Sequence, residues 1–599
     1  MLEEKAPTCL VTILKKCKQS SREAVENIQS FSPFKRYMHV ERTVEKELKE
    51  LIEQAFQSPS SQLILVCGGV GDGKSHILSY FKDKYPDIIQ AFYLHNDATE
   101  SFEPQKTSIQ TLAERFKEFS DEMLSSNEVK KALLAINLGT LNNFIDSEEG
   151  KAFSRLKKYV EEKKILESVI VDNSFDPDSP FQFINFSDYH MFQLTEDGPK
   201  SDYMKKLMQK ITEDKPDNPF HEVYRTNCLS NCPAAEQCPV KHNYELLSLE
   251  AVQDKVTSVL IQTIVKEKLI ISTRGLLNFY HDLLVSPRFE SMGDLQIRDE
   301  IEKLSFEEYV DQLLPMLLFS KPEISPIMQA VHRQSPTRIR SEELDERYVE
   351  FRTKENIYSI FQEHIDLDQL AYLGRKISQS PYEINDERDG KPFKQKLVQL
   401  FTILYLLVPK QEHGCYVDIR YDQFMKYLFF WNAKKVTNLR ELYGEVRDAT
   451  YKWDGHVNNS YTNLRIGKAQ TQYQTFQELQ IKPFIQKDKE ITESVLDKFL
   501  QSMTLYFKPE KAVLDTEQYP GIELDYSLYS LLSKIREGYR PNKNDKLQFI
   551  KFVEFINKLN RFGEQHKELL FEERQGAKKV KYVLQYDESF DRYSFKMEM

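Results

Sequence analysis

Eight consecutive residues, Gly68-Gly69-Val70-Gly71-Asp72-Gly73-Lys74-Ser75, satisfy G-x-x-x-x-G-K-[ST] at every fixed position. Residues of these types at this spacing can grip a triphosphate. Glycines let backbone N–H groups turn inward and approach phosphate oxygens with no Cβ in the way. A helix starting at Lys74 would add its unpaired N–H groups and positive dipole end. Lys74 would set an ammonium on the β- and γ-phosphates, and the Ser75 hydroxyl would hold Mg²⁺. His76 directly follows and belongs to the same candidate nucleotide site. The chain has only 19 glycines in 599 residues, so a chance match in a glycine-bearing loop is a poor competing explanation.

Hydrolysis of a triphosphate calls for a carboxylate to support the Mg²⁺ shell and orient water. Asp97 and Glu100 are the first choice and Asp172 the second; the ordinary alternative for each is a polar loop residue. Asn137 reads either as a γ-phosphate sensor or as a turn Asn. Arg274 follows Ser272-Thr273 and precedes a helical stretch. From a lid it could reach the γ-phosphate, or it is a surface Arg beside a Ser/Thr cap.

A second constellation is Cys228-x3-Cys232-x5-Cys238-x3-His242. Three thiolates and an imidazole suit tetrahedral Zn²⁺, with His221 competing for the fourth place. The alternative is a set of reduced cysteines in a loop, and an iron–sulfur cluster lacks its fourth Cys in this segment.

The elements that must position these residues can be read from periodicity. Leu63–Cys67 is an apolar run of buried-strand type, and Ile77, Leu78 and Phe81 are spaced for the buried face of a helix that Pro86 closes. Further strands are expected at Ile88–His95, Leu133–Asn137, Val169–Asp172 and Phe183–Phe186, with an amphipathic helix marked by Ile109, Leu112, Phe116 and Phe119. Alternating strands and helices imply a parallel sheet covered on both faces, with ligands at the carboxyl ends of its strands. The expected fold is α/β: a P-loop NTPase parallel sheet with a helical lid, then a mixed, mainly helical C-terminal region. The expected divisions are 1–60 (helical), 61–245 (nucleotide core, with a Cys-rich insertion at about 215–245), 246–335 (lid) and 336–599. Phe549, Phe552, Val553 and Ile556 form a helical stripe, and Val580, Tyr582 and Leu584 alternate like a strand.

Composition bounds the function classes. The chain is 40% hydrophobic and 29% charged, as soluble globular proteins are. No apolar run approaches a bilayer crossing, the N-terminus lacks a signal-peptide core, and seven cysteines form no paired framework. A cytoplasmic location without a membrane partner is expected. A net charge of −11 does not advertise nucleic-acid binding. The local stretch Lys434, Lys435, Arg440, Arg447 and Lys452, near Trp431 and Trp453, is interleaved with Glu441, Glu445 and Asp448. It reads better as a solvated, ion-paired helix face than as a nucleic-acid surface.

Beyond the generic loop, Gly-Asp-Gly-Lys-Ser-His (71–76) with His95-Asn96-Asp97-Ala98-Thr99-Glu100 resembles the DptF family of DNA phosphorothioation-dependent restriction (Dnd/Dpt FGH) systems. Leu134–Gly139, Cys238–Glu245 and Gly538–Asn542 are similar to the same family. The resemblance implies a bacterial antiviral role: an ATPase-like subunit acting with G and H partner subunits on DNA that lacks the sulfur mark. ATP and Mg²⁺ are the cofactors so implied. No nuclease signature stands out in the chain, so DNA contact is expected mainly through partners. Two other classes compete. A nucleotide-gated signalling or scaffold protein would hydrolyse slowly and assemble with nucleotide. A small-molecule kinase would be far shorter.

Overall fold

The computed structural model describes residues 8–26, 32–69, 72–95, 107–125, 128–167, 170, 172–354, 356–379, 391–411, 414, 416–454, 460–464, 473–485, 490–510, 519–563, 568–575 and 578–598. They form two compact units. One comprises Met1–Gln193, Pro199–Val417 and Asp497–Phe499; the other comprises Leu194–Gly198, Asp418–Leu496 and Leu500–Met599. Among the described residues no helix is long and apolar enough to cross a membrane.

The first unit is mixed α/β. The helices α1 (Leu10–Glu26) and α2 (Thr43–Gln57) precede strand β1 (Gln62–Cys67) and helix α3 (Lys74–Lys84). Strands β2 (Tyr93–His95) and β3 (Lys131–Ile136) follow, then helix α4 (Leu138–Ile145) and strand β4 (Phe181–Asn185). The four strands make one parallel sheet in the order β2-β3-β1-β4. Leu65 of β1 lies opposite Leu134 on one side and Phe183 on the other.

Strand periodicity explains the core. Successive side chains point to opposite faces, so β1 feeds two apolar layers. Leu63, Leu65 and Cys67 pack with Phe116, Phe144, Phe153 and Leu156. Ile64 and Val66 pack with Leu48, Ile52, Ile77, Leu78 and Phe81 of α2 and α3. All six residues of β1 are buried, which is why the strand reads as an unbroken apolar run.

Two expected strands change. Ile88 and Ile89 lie in a short helical turn, Pro86–Ile89, and β2 begins only at Tyr93. Pro86 sits at the first position of that turn, where its missing N–H costs nothing. In the expected strand Val169–Asp172, Val169 and Val171 lie outside the described residues, while Ile170 and Asp172 are exposed and in no strand. Residue 137 caps a helix and does not end β3.

After β4 the chain forms the strand Tyr189–Thr195, and from Asp202 onward the first unit is mainly helical. Pro239–Ser248 and Glu250–Glu267 lead to α5 (Thr273–Leu284), which Ser272 caps through its side chain. The second unit opens with helices at Ile419–Asn432 and Arg440–Lys452 and then carries two antiparallel sheets. The larger orders Arg592–Glu598, Lys578–Asp587, Glu568–Gln575, Tyr473–Glu478 and Tyr461–Asn463. Trp453 is buried against Phe552. Charges in the basic stretch find local partners: Lys435 meets Glu196 at 3.1 Å, Arg447 meets Asp448 at 3.4 Å, and Lys434 lies over the Trp431 ring.

Phe144 is fully buried, with the rings of Phe116 and Phe153 each 5.2 Å away. Phe144→Ala is expected to lower unfolding free energy by about 3–5 kcal/mol, while Lys158→Ala on an exposed helix face changes it by less than ~0.5 kcal/mol. Urea denaturation checks this; equal midpoints for parental protein and Phe144→Ala would contradict the packed sheet face.

Candidate functional site

The candidate site stands at the carboxyl end of β1. Gly73 holds a left-handed conformation (φ 94°) and is the N-cap of α3, so the helix opens at Lys74. Only a residue without Cβ takes that conformation cheaply. Gly68 is tight for a different reason: a Cβ there would stand 2.8 Å from Asp72 Oδ2 and 3.0 Å from Phe186 Cβ. Val70 and Gly71 lie outside the described residues.

The loop is held by its own charged groups. Lys74 Nζ donates to the carbonyl oxygens of Gly68 (2.8 Å) and Gly69 (2.6 Å). The Asp72 carboxylate accepts from the Gly69 N–H (2.6 Å) and from Ser187 Oγ (2.9 Å). A carboxylate thus sits on a main-chain amide of the kind a phosphate oxygen uses. Arg42 secures the outer side, donating to Asp72 O (3.0 Å) and Tyr189 O (3.1 Å). Ser75 is the second residue of α3 and half-buried.

His76 is held in a ring stack. Its Nε2 lies 3.3 Å from His39 Nδ1, and His39 in turn stacks on Tyr80 and reaches Glu45 through Nε2 at 3.2 Å. Its ring is partly buried among these neighbours. That enclosure, with His39 and Lys35 nearby, lowers its pKa to about 4.

The helix that bears Arg274 starts beside the loop. Thr273 Oγ1 is 4.0 Å from where a Cβ would stand on Gly73, and it accepts a 3.1 Å hydrogen bond from Tyr203. Arg274 is the second residue of α5 and exposed. Asp97 and Glu100 lie outside the described residues; β2, which they follow, ends at His95 on the sheet edge that carries the loop. Asp172 binds Ser174 through backbone (3.0 Å) and side chain (2.9 Å), a local turn. Asn137 Oδ1 accepts from Thr140 N at 2.7 Å and caps α4, the turn role weighed for it.

Sequence reasoning missed Ser187, Asp188 and Arg42. Ser187 and Asp188 directly follow β4, the strand next to β1. Burial raises the Asp188 carboxyl to about 6. One of its oxygens accepts from Asn185 Nδ2 (2.7 Å), and the other is buried with no hydrogen-bond partner among the described residues. The signal was present: Asn185-Phe186-Ser187-Asp188 is the polar exit of an expected strand.

The cysteine-rich segment leaves both candidate imidazoles engaged elsewhere. His242 Nδ1 lies 2.7 Å from the Tyr309 hydroxyl, and His221 Nε2 lies 3.1 Å from Asp214. Among the described residues no three His, Cys, Asp or Glu side chains stand close enough to enclose a metal ion.

The His76 shift has a definite sign. In the unfolded chain the ring takes a proton near its ordinary value of 6.5, whereas in the fold it resists until about 4. The unfolded state therefore binds more protons in this window, and stability falls as pH drops from 6.5 toward 4. His76→Gln is expected to flatten that part of the stability–pH curve; an unchanged slope would contradict the enclosed neutral ring.

Comparison with protein-family models, with curated proteins and with solved structures gives no match for this chain.

Proposed function

We propose that the chain binds ATP with Mg²⁺ at residues 68–76 and hydrolyses it. In this reading it is the F-type subunit of a bacterial DNA phosphorothioation-dependent restriction complex. G and H subunits would make most contacts to unmarked DNA. The observation that carries nucleotide binding is the left-handed Gly73 directly ahead of Lys74 at a helix start. It lies at the carboxyl end of a buried parallel strand, where open α/β sheets take ligands. The restriction role rests on the motif resemblance of residues 71–76 and 95–100.

Each residue has a defined task in this reading. The Lys74 ammonium leaves the Gly68 and Gly69 carbonyls for the β- and γ-phosphates. The Asp72 carboxylate gives up the Gly69 amide, which then donates to phosphate. Ser75 Oγ is the side chain that would hold Mg²⁺, which supplies charge neutralisation between the β- and γ-phosphates. Asp97 and Glu100, which follow β2 in the sequence, would orient the attacking water. Arg274, on a helix that starts against the loop, stabilises charge building on the γ-phosphate.

Lys74→Ala is expected to abolish ATP binding in calorimetric titration, together with turnover. Arg274→Ala should lower turnover at least about tenfold while changing affinity only a few-fold. Undiminished ATP binding by Lys74→Ala overturns the site, and parental turnover by Arg274→Ala overturns the role given to that residue.

A further inference from the structure

The cysteine-rich segment acquires a fourth thiol from the far N-terminus. Cys9 immediately precedes α1. Its neighbour Thr8 accepts a 3.0 Å hydrogen bond through its carbonyl from Asn227 Nδ2. Asn227 is buried and immediately precedes Cys228. Its own carbonyl accepts from the N–H groups of Asn231 and Cys232, each at 2.9 Å, which curls 228–232 into a tight turn. A 3-10 turn at Ala235–Gln237 then brings in Cys238, the residue that caps the helix Pro239–Ser248. One asparagine therefore ties the Cys9 end of the chain and the Cys232 turn to the same point.

The four thiols share one neighbourhood, as this backbone requires. Cys228 interacts electrostatically with Cys238, Cys9 and Cys232. Cys238 interacts with Cys9 and Cys232, and Cys9 with Cys232. Each of the four thiols thus lies within electrostatic range of the other three. Cys9, Cys228 and Cys238 are buried, and Cys232 is half-buried. His242 is a worse fourth partner, since its ring is engaged by the Tyr309 hydroxyl and stacks near Tyr372.

We propose that Cys9, Cys228, Cys232 and Cys238 form a tetrathiolate site for Zn²⁺ that staples the start of α1 to the 228–238 turn. Four thiolates around one ion are the closed shell of a structural zinc centre. On binding, four S–H bonds would give way to four Zn–S bonds, with the protons released to solvent. The sulfurs are not drawn together to ligand distance in this structure, so closing the shell requires the four thiols to move toward one point. The staple has a structural consequence. Lys18 of α1 pairs with Asp282 of α5 at 2.8 Å, so fixing α1 also braces the helix whose first turn abuts Gly73. The inference does not depend on nucleotide binding.

The test uses the full chain purified with zinc and without chelator. Elemental analysis is expected to find about one zinc per chain. Cys9→Ser should hold zinc at least about tenfold more weakly against a competing chelator, and His242→Ala should hold it as the parental protein does. If Cys9→Ser does not fold, cobalt-substituted parental protein decides: charge-transfer and d–d absorption of four thiolates supports the site, and that of three or fewer overturns it. Metal-free protein, iron with acid-labile sulfide, zinc retained by Cys9→Ser, or zinc lost from His242→Ala each overturns it.

Discussion

A left-handed glycine at the mouth of a buried strand is the constraint on which the rest depends. Gly73 turns the chain so that α3 begins at Lys74, and β1 fixes where that turn stands because its residues are locked between β3 and β4. The turn costs little in conformational energy only because the residue lacks a Cβ. It aims the open N–H groups of a helix start and one ammonium at the same small volume. The two apolar layers around β1 hold this geometry without help from the loop itself, whose contacts are polar and exchangeable.

Those polar contacts make the loop self-satisfied. Lys74 rests on two carbonyls of its own loop, and Asp72 rests on the Gly69 amide beside Ser187. Each group has a partner that a triphosphate can replace with a better-charged one, so donors are neither orphaned without ligand nor locked away from it. Arg42, Thr273 and Tyr203 close the surround, linking the segment ahead of α2 and the start of α5 to the same turn. Asp188 adds a carboxyl at the neighbouring strand end that burial raises to about 6.

What could be read from residues alone follows a physical division. The strand β1, the glycine turn at Gly73 and the helix α3 were legible because local pattern and tertiary role coincide there: an apolar run, glycines, then helical spacing. Phe183–Phe186 was legible for the same reason, although the polar exit at Ser187 and Asp188 went unweighed. The strand expected at Ile88–His95 was too long because Pro86 starts a helical turn, and isoleucines favour strands only when the backbone is free to extend. Asn137 lies one residue past β3, not in it as expected, and its choice between two roles needed the Thr140 amide to be located. Cys9 could not be joined to Cys228 by spacing, since more than two hundred residues separate them and tertiary contacts, the Asn227 hydrogen bond to Thr8 among them, bring them together. The antiparallel sheets of the second unit also went largely unread. Their strands pair across long sequence separations, as Tyr473–Glu478 does with Glu568–Gln575.

The central claim is that main-chain amides at this turn receive a triphosphate. Amide hydrogen exchange over the segment 66–78, with and without saturating Mg·ATP, tests it most directly. The account predicts strong slowing of exchange at Gly69 and across Gly73–His76, with little change in the already buried β1. Exchange in this segment that is identical in the two conditions, while ATP binds elsewhere or not at all, would contradict it.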